Sequence, residues 1–316
     1  MMQIELIYLL LGIFGVWLTG ELVVNSSQVI ARYFKISELF IGLTVLSIGT
    51  SLAEMSTHIV ASLKVLKGED VSGIAVGTNI GSNLIQITFI LGLVAMFMRI
   101  HATKKFLKKD YMVMLASIIG VWLLSLNNYL SRAEGAILFF AYIYYLYTLS
   151  KDEHIVGKIE NNNYGKKPFA STLILLAGLF GLLYSAEIVV RNGEFLAAIW
   201  NVKDTLIGTL LVGVGTALPE LTTSIIAIRK RSVGMSMGVL VGSNITNPLM
   251  MLGLGAMISG YTVSNDIIWF DIPYWFAVSL LALFFFWKDR KFKRMHAVTL
   301  MLSYVAYVAI RIYYFR

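Results

Sequence analysis

The sequence predicts an all-α membrane protein with ten transmembrane helices in an inverted 5+5 repeat. Three observations carry that prediction. First, 58% of the 316 residues are hydrophobic and 14% are charged, with a mean hydropathy of +0.76. Soluble domains average about 45–50% apolar and about 25% charged residues. Second, two blocks occur twice. Residues 42–54, Gly-Leu-Thr-Val-Leu-Ser-Ile-Gly-Thr-Ser-Leu-Ala-Glu, return as residues 208–220, Gly-Thr-Leu-Leu-Val-Gly-Val-Gly-Thr-Ala-Leu-Pro-Glu, at an offset of 166. Residues 77–83, Gly-Thr-Asn-Ile-Gly-Ser-Asn, return as residues 238–244, Gly-Val-Leu-Val-Gly-Ser-Asn, at an offset of 161. Third, the basic residues collect in alternate connections between apolar stretches.

A spanning helix needs about 20 mainly apolar residues, and ten stretches meet that need. Helix one, 4–30, follows an N-terminus with no basic region, so it reads as a retained helix rather than a cleaved signal. Helix two, 38–63, carries the first block, and helix three, 70–98, the second. Helix four, 108–127, follows a strongly basic connection. Helix five, 132–150, ends in the aromatic run Tyr142–Tyr147, which reads as an interfacial belt. Residues 151–167 form the only long polar linker, read as cytoplasmic, and separate a first repeat (1–150) from a second (168–316). Helix six, 168–198, repeats helix one: Glu187-Ile-Val-Val matches Glu21-Leu-Val-Val. Helices seven, 204–228, and eight, 233–258, carry the second copies of the two blocks. The five-residue difference between the offsets fits a shorter loop between them. Helix nine, 266–287, holds a second belt at Trp269–Trp275, and helix ten spans 295–314.

Five helices is an odd number, so the second half enters the membrane from the opposite side. Inverted repeats of this kind are a transporter architecture with its site at the midplane. With the N-terminus outside, the cytoplasmic connections hold Arg32 and Lys35; Arg99, Lys104, Lys105, Lys108 and Lys109; Lys151, Lys158, Lys166 and Lys167; Arg229, Lys230 and Arg231; and Lys288, Arg290, Lys291, Lys293 and Arg294. That is 19 of the 26 lysines and arginines. The positive-inside rule therefore places both termini outside in a multi-pass protein of the cell membrane. The same distribution accounts for the net charge of +8 without a nucleic-acid partner. The expected partners are the bilayer and the transported ions, with no obligate protein partner. The absence of cysteine excludes disulfides, thiol catalysis and thiolate metal sites.

Each copy of the first block ends in a carboxylate, Glu54 or Glu220, inside an apolar stretch. Ionisable groups there are costly, which points to function. The glycine, serine and threonine before each glutamate permit close helix approach and a local break. Carbonyls freed by a break are tolerated at membrane depth only where they are buried or bind something. Thr50, Ser51 and Glu54, like Thr216 and Glu220, are spaced to share one helix face. Ser82 and Gln86, and Ser243 and Asn247, are four apart and add hydroxyl and amide oxygens. Such oxygens suit Ca2+, which takes about 6–8 of them. No histidine or cysteine joins both blocks, so zinc and copper are disfavoured. Two carboxylates neutralise one Ca2+. Na+ at overlapping oxygens would exclude it, which is the physical basis of exchange. No cofactor is expected.

The four blocks together resemble the alpha repeats of the sodium/calcium exchanger branch of the cation/calcium exchanger superfamily. The resemblance spans the chain and is nearest to the compact prokaryotic exchangers. It implies that helices two, three, seven and eight enclose the ions. Thr50, Ser51, Glu54, Ser82, Gln86, Thr216, Glu220, Ser243 and Asn247 stand at matching positions, and Ser47 and Gly213 at positions that offer backbone carbonyls. It also implies that helices one and six slide to alternate access. The chain departs from the pattern at Ala53, Ala217, Gln86 and Asn247. The last departure leaves two central carboxylates rather than three. The reading is therefore an antiporter of Ca2+ against Na+, with an H+/Ca2+ or K+-dependent exchanger of the same superfamily as the alternative. A cation channel is a further class. An enzyme is disfavoured, because no His-Glu-x-x-His motif occurs.

Several residues carry a plainer reading as well. The Thr50 and Thr216 hydroxyls could bond back into their own helices. Ser82 and Ser243 could simply pack, and Gln86 and Asn247 could hydrogen-bond across helices. Glu21 and Glu187 could gate a pathway, or pair with a cation or amide near a helix end. His58 could relay protons, or be a polar residue near the outer end of helix two.

Overall fold

The computed structural model describes residues 2–98, 100–156, 168–199, 213–289 and 292–314. The long apolar helix α1 (Met2–Phe34) stops where Lys35 enters the left-handed region (φ 54). There the Ile36 N–H returns to the Ala31 carbonyl at 3.0 Å, satisfying the helix end. Ser37 then caps α2 (Glu38–Ile41) by accepting the Phe40 N–H. A π-helical turn, Gly42–Leu46, leads into α3 (Ser47–Thr50), and α4 (Leu52–Leu66) follows after Ser51. Next come α5 (Ser72–Ile85), a π-turn Gln86–Ile90 and α6 (Leu91–Phe97). The chain continues through α7 (Lys104–Lys108), α8 (Asp110–Leu124), the short strand β1 (Tyr129–Leu130) and α9 (Arg132–Val156).

The second half begins with α10 (Pro168–Ile199), then α11 (Gly213–Thr216) and α12 (Leu218–Arg229). Helix α13 (Val233–Thr246) passes through a π-turn Asn247–Met251 into α14 (Leu252–Ser259). Strand β2 (Tyr261–Thr262) precedes a π-turn Ile267–Asp271, α15 (Ile272–Asp289) and α16 (Arg294–Tyr314).

Among the described residues, six helical stretches are long and apolar enough to cross a membrane: Glu5–Phe34, Ser72–Phe97, Pro168–Asn192, Val233–Ser259, Ile267–Lys288 and Arg294–Tyr314. A seventh is gained if Glu38–Thr50 and Leu52–Leu66 form one broken span. Expected helices four and five correspond to α8 and α9, which do not meet the same test. The start of expected helix seven, 204–212, lies outside the described residues, as does most of the polar linker.

The chain forms two compact units that do not follow its sequence halves. One comprises Met1–Thr50 and Thr148–Leu240, the other Ser51–Tyr147 and Val241–Arg316. In the first, α1 packs along α10 and α12 around Val23, Val24, Leu46, Leu182, Ile226 and Val239. Gly42 meets Gly238 there, backbone to backbone: a Cβ built on Gly238 would lie 2.7 Å from Gly42 Cα and 2.7 Å from the Leu39 carbonyl oxygen. Small residues at such a crossing are what let helices approach in lipid.

In the second unit α4 packs on α14, α8 on α15 and α6 on α16. Strands β1 and β2 pair antiparallel, with Tyr129 opposite Thr262 and Leu130 opposite Tyr261. The buried Tyr261 hydroxyl donates to the His58 carbonyl at 2.9 Å and lies 2.6 Å from the Ser62 hydroxyl. Large apolar side chains such as Leu10, Phe14, Phe169, Leu176, Phe180 and Leu302 are exposed, while many serines, threonines, asparagines and both block glutamates are buried. Apolar outside and polar inside suits a bilayer, where lipid tails solvate the one and protein must satisfy the other.

Candidate cation-binding site

Both glutamates of the first block follow a helix break in the same conformation. Ser51 separates α3 from α4 at φ −85, ψ 11, and Ala217 separates α11 from α12 at φ −89, ψ 1. Neither side chain caps the helix that follows. Glu54 and Glu220 each occupy the third position of the new helix, in its first turn. The unpaired N–H groups there give a positive end that favours a carboxylate. Their exposure is 1% for Glu54 and 0% for Glu220. The expectation that Thr50, Ser51 and Glu54 share one continuous helix face is thus corrected: the helix is interrupted at Ser51, between the threonine and the glutamate.

The residues before the break keep the plainer bonding. Thr50 Oγ1 donates to the Leu46 carbonyl at 2.9 Å, and Ser47 Oγ to the Leu43 carbonyl at 2.8 Å. A hydroxyl that donates backwards keeps its oxygen lone pairs, so this bonding leaves a cation ligand intact. Gly49 and Gly215, matched in the repeat, both press on α10. A Cβ on Gly49 would lie 2.7 Å from Leu179 Cδ1, and one on Gly215 would collide with the Val190 side chain. Thr216 is half-buried, and Gly213 opens α11. The preceding part of the second copy, 208–212, lies outside the described residues.

In the second unit a chain of hydrogen bonds ends on Glu54. Trp275 Nε1 donates to Asn244 Oδ1 at 3.0 Å, and Asn244 Nδ2 to Gln86 Oε1 at 3.0 Å. Gln86 Nε2 donates to Ser82 Oγ at 3.1 Å, and Ser82 Oγ to Glu54 Oε1 at 3.1 Å. Ser82 therefore meets Glu54 directly, and Gln86 reaches it through the Ser82 hydroxyl. A second chain runs through Asn247, Asn83, Asn79 and His58. Asn247 Nδ2 donates to Asn83 Oδ1 at 3.3 Å, and Asn83 Nδ2 to Asn79 Oδ1 at 3.3 Å. Asn79 Nδ2 faces His58 Nε2 at 3.1 Å and donates to the Asn247 carbonyl at 2.9 Å. His58 is thus buried (2% exposed) and hydrogen-bonded, in the middle of α4.

Gln86 and Asn247, matched at an offset of 161, each open a π-turn. Single π-turns often mark functional sites, because they displace one backbone carbonyl from the regular ladder. Ser51, Ser82, Ser243 and Asn247 are all fully buried. Among the described residues no group of three or more His, Asp or Glu is placed to hold a metal. The donors gathered beside Glu54 are hydroxyl and amide, which suits hard cations.

Glu21 takes the plainer of its two readings. Its carboxylate pairs with Lys230 Nζ at 2.6 Å and lies 4.0 Å from Arg229. Sequence reasoning missed Asn79, Asn83 and Asn244 as partners. The i, i+4 spacing of Asn79 and Asn83, and the place of Asn83 and Asn244 at the ends of the two second blocks, were the available signals.

Comparison with known proteins adds a family. The family profile described as sodium/calcium exchanger protein matches residues 4–151 and 170–313. The sodium/calcium exchanger MaX1 of Methanosarcina acetivorans is 29% identical over 99% of this chain and 100% of its own length. Membrane protein MJ0091 of Methanocaldococcus jannaschii, itself uncharacterised, is 32% identical over 96% of each chain. A solved structure of the sodium-calcium exchanger NCX_Mj, soaked with zero Na+ and Ca2+, superposes with a TM-score of 0.85. It is 29% identical and covers 98% of this chain and 99% of its own. That structure comes from work on extracellular ion exchange and induced binding-site occlusion.

Proposed function

Because the chain belongs to the sodium/calcium exchanger family, we propose that it is a secondary antiporter that exchanges Ca2+ for Na+ by alternating access. It is a multi-pass membrane protein and, like its relatives, a transporter rather than an enzyme. The finer architecture belongs to the proposal: ten helices, an inverted 5+5 repeat over 1–150 and 168–316, a cytoplasmic linker at 151–167 and both termini outside.

One observation supports this reading above the others. Two buried glutamates follow two helix breaks of matching backbone angles, at matching places in a repeated sequence. In the proposal Glu54 and Glu220 bind the divalent ion. Carbonyls near Ser47 and Gly213, hydroxyls of Thr50, Ser51, Thr216, Ser82 and Ser243, and the amide of Asn247 complete the oxygen shells, while Gln86 holds the Ser82 hydroxyl toward Glu54. Ca2+ and Na+ compete for these oxygens, so the release of one is coupled to the binding of the other.

The test is Ca2+ flux from proteoliposomes with the opposing cation varied among Na+, K+, Li+ and H+. Flux is expected only against Na+. Flux driven by a proton gradient, or strictly requiring K+, would replace Na+ exchange with the corresponding alternative. Internal Ca2+ should accelerate tracer Ca2+ uptake, as in a carrier; a channel gives no such counterflow. Glu54→Gln and Glu220→Gln keep shape and remove charge, and each should abolish Ca2+ transport. Near-normal flux from either variant would sink the site assignment.

A further inference from the structure

Asn247 opens the π-turn Asn247–Met251 and is fully buried. Its carboxamide has two unlike ends, a donating nitrogen and an accepting oxygen, and a cation ligand must present the oxygen. Four observations fix which end faces where. The Asn247 carbonyl is a backbone oxygen and can only accept, so the Asn79 group 2.9 Å from it is the Nδ2 amide. The same Nδ2 lies 3.1 Å from His58 Nε2, which must then also accept. Asn79 Oδ1 is thereby turned to Asn83 Nδ2, and Asn83 Oδ1 to Asn247 Nδ2. What remains is Asn247 Oδ1, buried and without a hydrogen-bond partner among the described residues. Leaving a buried acceptor unsatisfied costs about 1–3 kcal/mol, so its lone pairs are open to a bound cation.

His58 sets the sense of this chain. With Nε2 accepting, the ring carries its proton on Nδ1, which has no hydrogen-bond partner among the described residues. A side chain offering a donor at that place would face the Asn79 amide donor to donor. Asn79 could relieve the clash only by turning its oxygen outward, toward the Asn247 carbonyl oxygen. The sense of every later bond would then reverse, and Asn247 would present nitrogen instead of oxygen.

We propose that His58, Asn79 and Asn83 form a polarised relay that holds Asn247 with Oδ1 outward as a neutral oxygen ligand for the transported cation. His58 is a positioning residue in this scheme, acting through Asn79 and Asn83, and touches no ion itself. The proposal rests on the reading of Asn247 as an ion ligand given above.

The experiment is a double-mutant cycle. His58→Leu removes the acceptor, His58→Gln supplies an amide oxygen in its place, and each is combined with Asn247→Ala. Two quantities are measured for Ca2+ and Na+: half-saturating concentration and maximal rate in proteoliposomes, and ion-induced thermal stabilisation in detergent. The second reads ion binding even where transport is lost. His58→Leu should weaken ion binding about 3- to 10-fold, the worth of one net hydrogen bond, with a smaller change in maximal rate. His58→Gln should restore it. In the Asn247→Ala background His58→Leu should have no further effect, because the atom it positions is gone. If His58→Leu does not fold, Asn83→Ser takes its place in the same cycle. An unchanged affinity, or an equal loss in the Asn247→Ala background, overturns the relay. If Glu54→Gln and Glu220→Gln bind and transport Ca2+ normally, the site reading itself has failed, and the two failures are told apart.

Discussion

The crossing of Gly42 and Gly238 gives a prediction whose size can be worked from geometry. In Gly238→Ala the new methyl carbon would lie 2.7 Å from Gly42 Cα, 2.7 Å from the Leu39 oxygen and 2.8 Å from the Leu43 nitrogen. Carbon–carbon contacts are best at about 3.5–4.0 Å. All three neighbours are backbone, so no rotamer change relieves the clash, and the helices must part by roughly 1 Å. Overpacking of that kind costs about 1–3 kcal/mol. Lipid tails offer no hydrophobic gain to compensate for a looser contact. At about 2 °C per kcal/mol, the low end for larger domains, the melting temperature should fall by about 2–6 °C. The assay is thermal unfolding in detergent, with Ca2+ flux measured on the same preparations. Gly73→Ala is the control: Gly73 is exposed, and its Cβ would meet nothing within 4 Å among the described residues. It should be neutral or slightly stabilising, as alanine is favoured over glycine in helices. If Gly238→Ala melts with the wild type and Gly73→Ala, the backbone contact does not hold these helices.

Other outcomes follow from single contacts. Tyr261→Phe deletes a buried hydroxyl that bonds the His58 carbonyl and Ser62; stability should drop by about 1–2 kcal/mol while Ca2+ flux survives, and an unchanged melting temperature would deny the bonds any net worth. Glu21→Gln breaks the 2.6 Å pair with Lys230, which is partly exposed, so stability should change by no more than about 1 kcal/mol and transport should persist. Loss of transport in that variant would restore a gating role to Glu21.

The repeated blocks made the two glutamates, the two helix breaks and the Ser82–Gln86 pairing legible in the sequence. Asn83 and Asn244 match at the repeat offset, yet each has a hydrogen-bond partner far away in sequence. Asn79 corresponds to Leu240 at the repeat offset, and His58 to Ser224, so symmetry gave Asn79 no role and left His58 with two open readings. Their roles come from contacts made at long sequence separation. The break was also anticipated without its consequence, because helical spacing alone put Thr50 and Glu54 on one face while Ser51 interrupts the helix between them. The matching break at Ala217 shows that the Ser51 hydroxyl does not create it: two different side chains adopt nearly the same backbone angles. The π-turns carry no common sequence mark either. One contains Pro248 and the other, Gln86–Ile90, has no proline.

The pair Gln86 and Asn247 shows how matched positions can do different work. Both open π-turns and both are fully buried. Gln86 has both ends of its amide engaged, accepting from Asn244 and donating to Ser82. Because Ser82 Oγ receives that donor, its own proton is directed to Glu54 Oε1. Asn247 instead bonds through nitrogen and leaves its oxygen unpartnered among the described residues. Gln86 therefore orients a ligand's partner, whereas Asn247 presents an oxygen. Gln86→Leu should free the Ser82 proton to turn away from Glu54 and weaken Ca2+ binding. The size should be that of a hydrogen bond to a charged group, about 1.5–3 kcal/mol or roughly 10- to 150-fold. Ser82→Ala should reproduce the loss, and the double variant should be no worse than Ser82→Ala alone, since Gln86 acts on Glu54 through that hydroxyl. Additive losses, read as half-saturating Ca2+ in proteoliposomes, would mean that Gln86 meets the ion directly and that the two amides are equivalent after all.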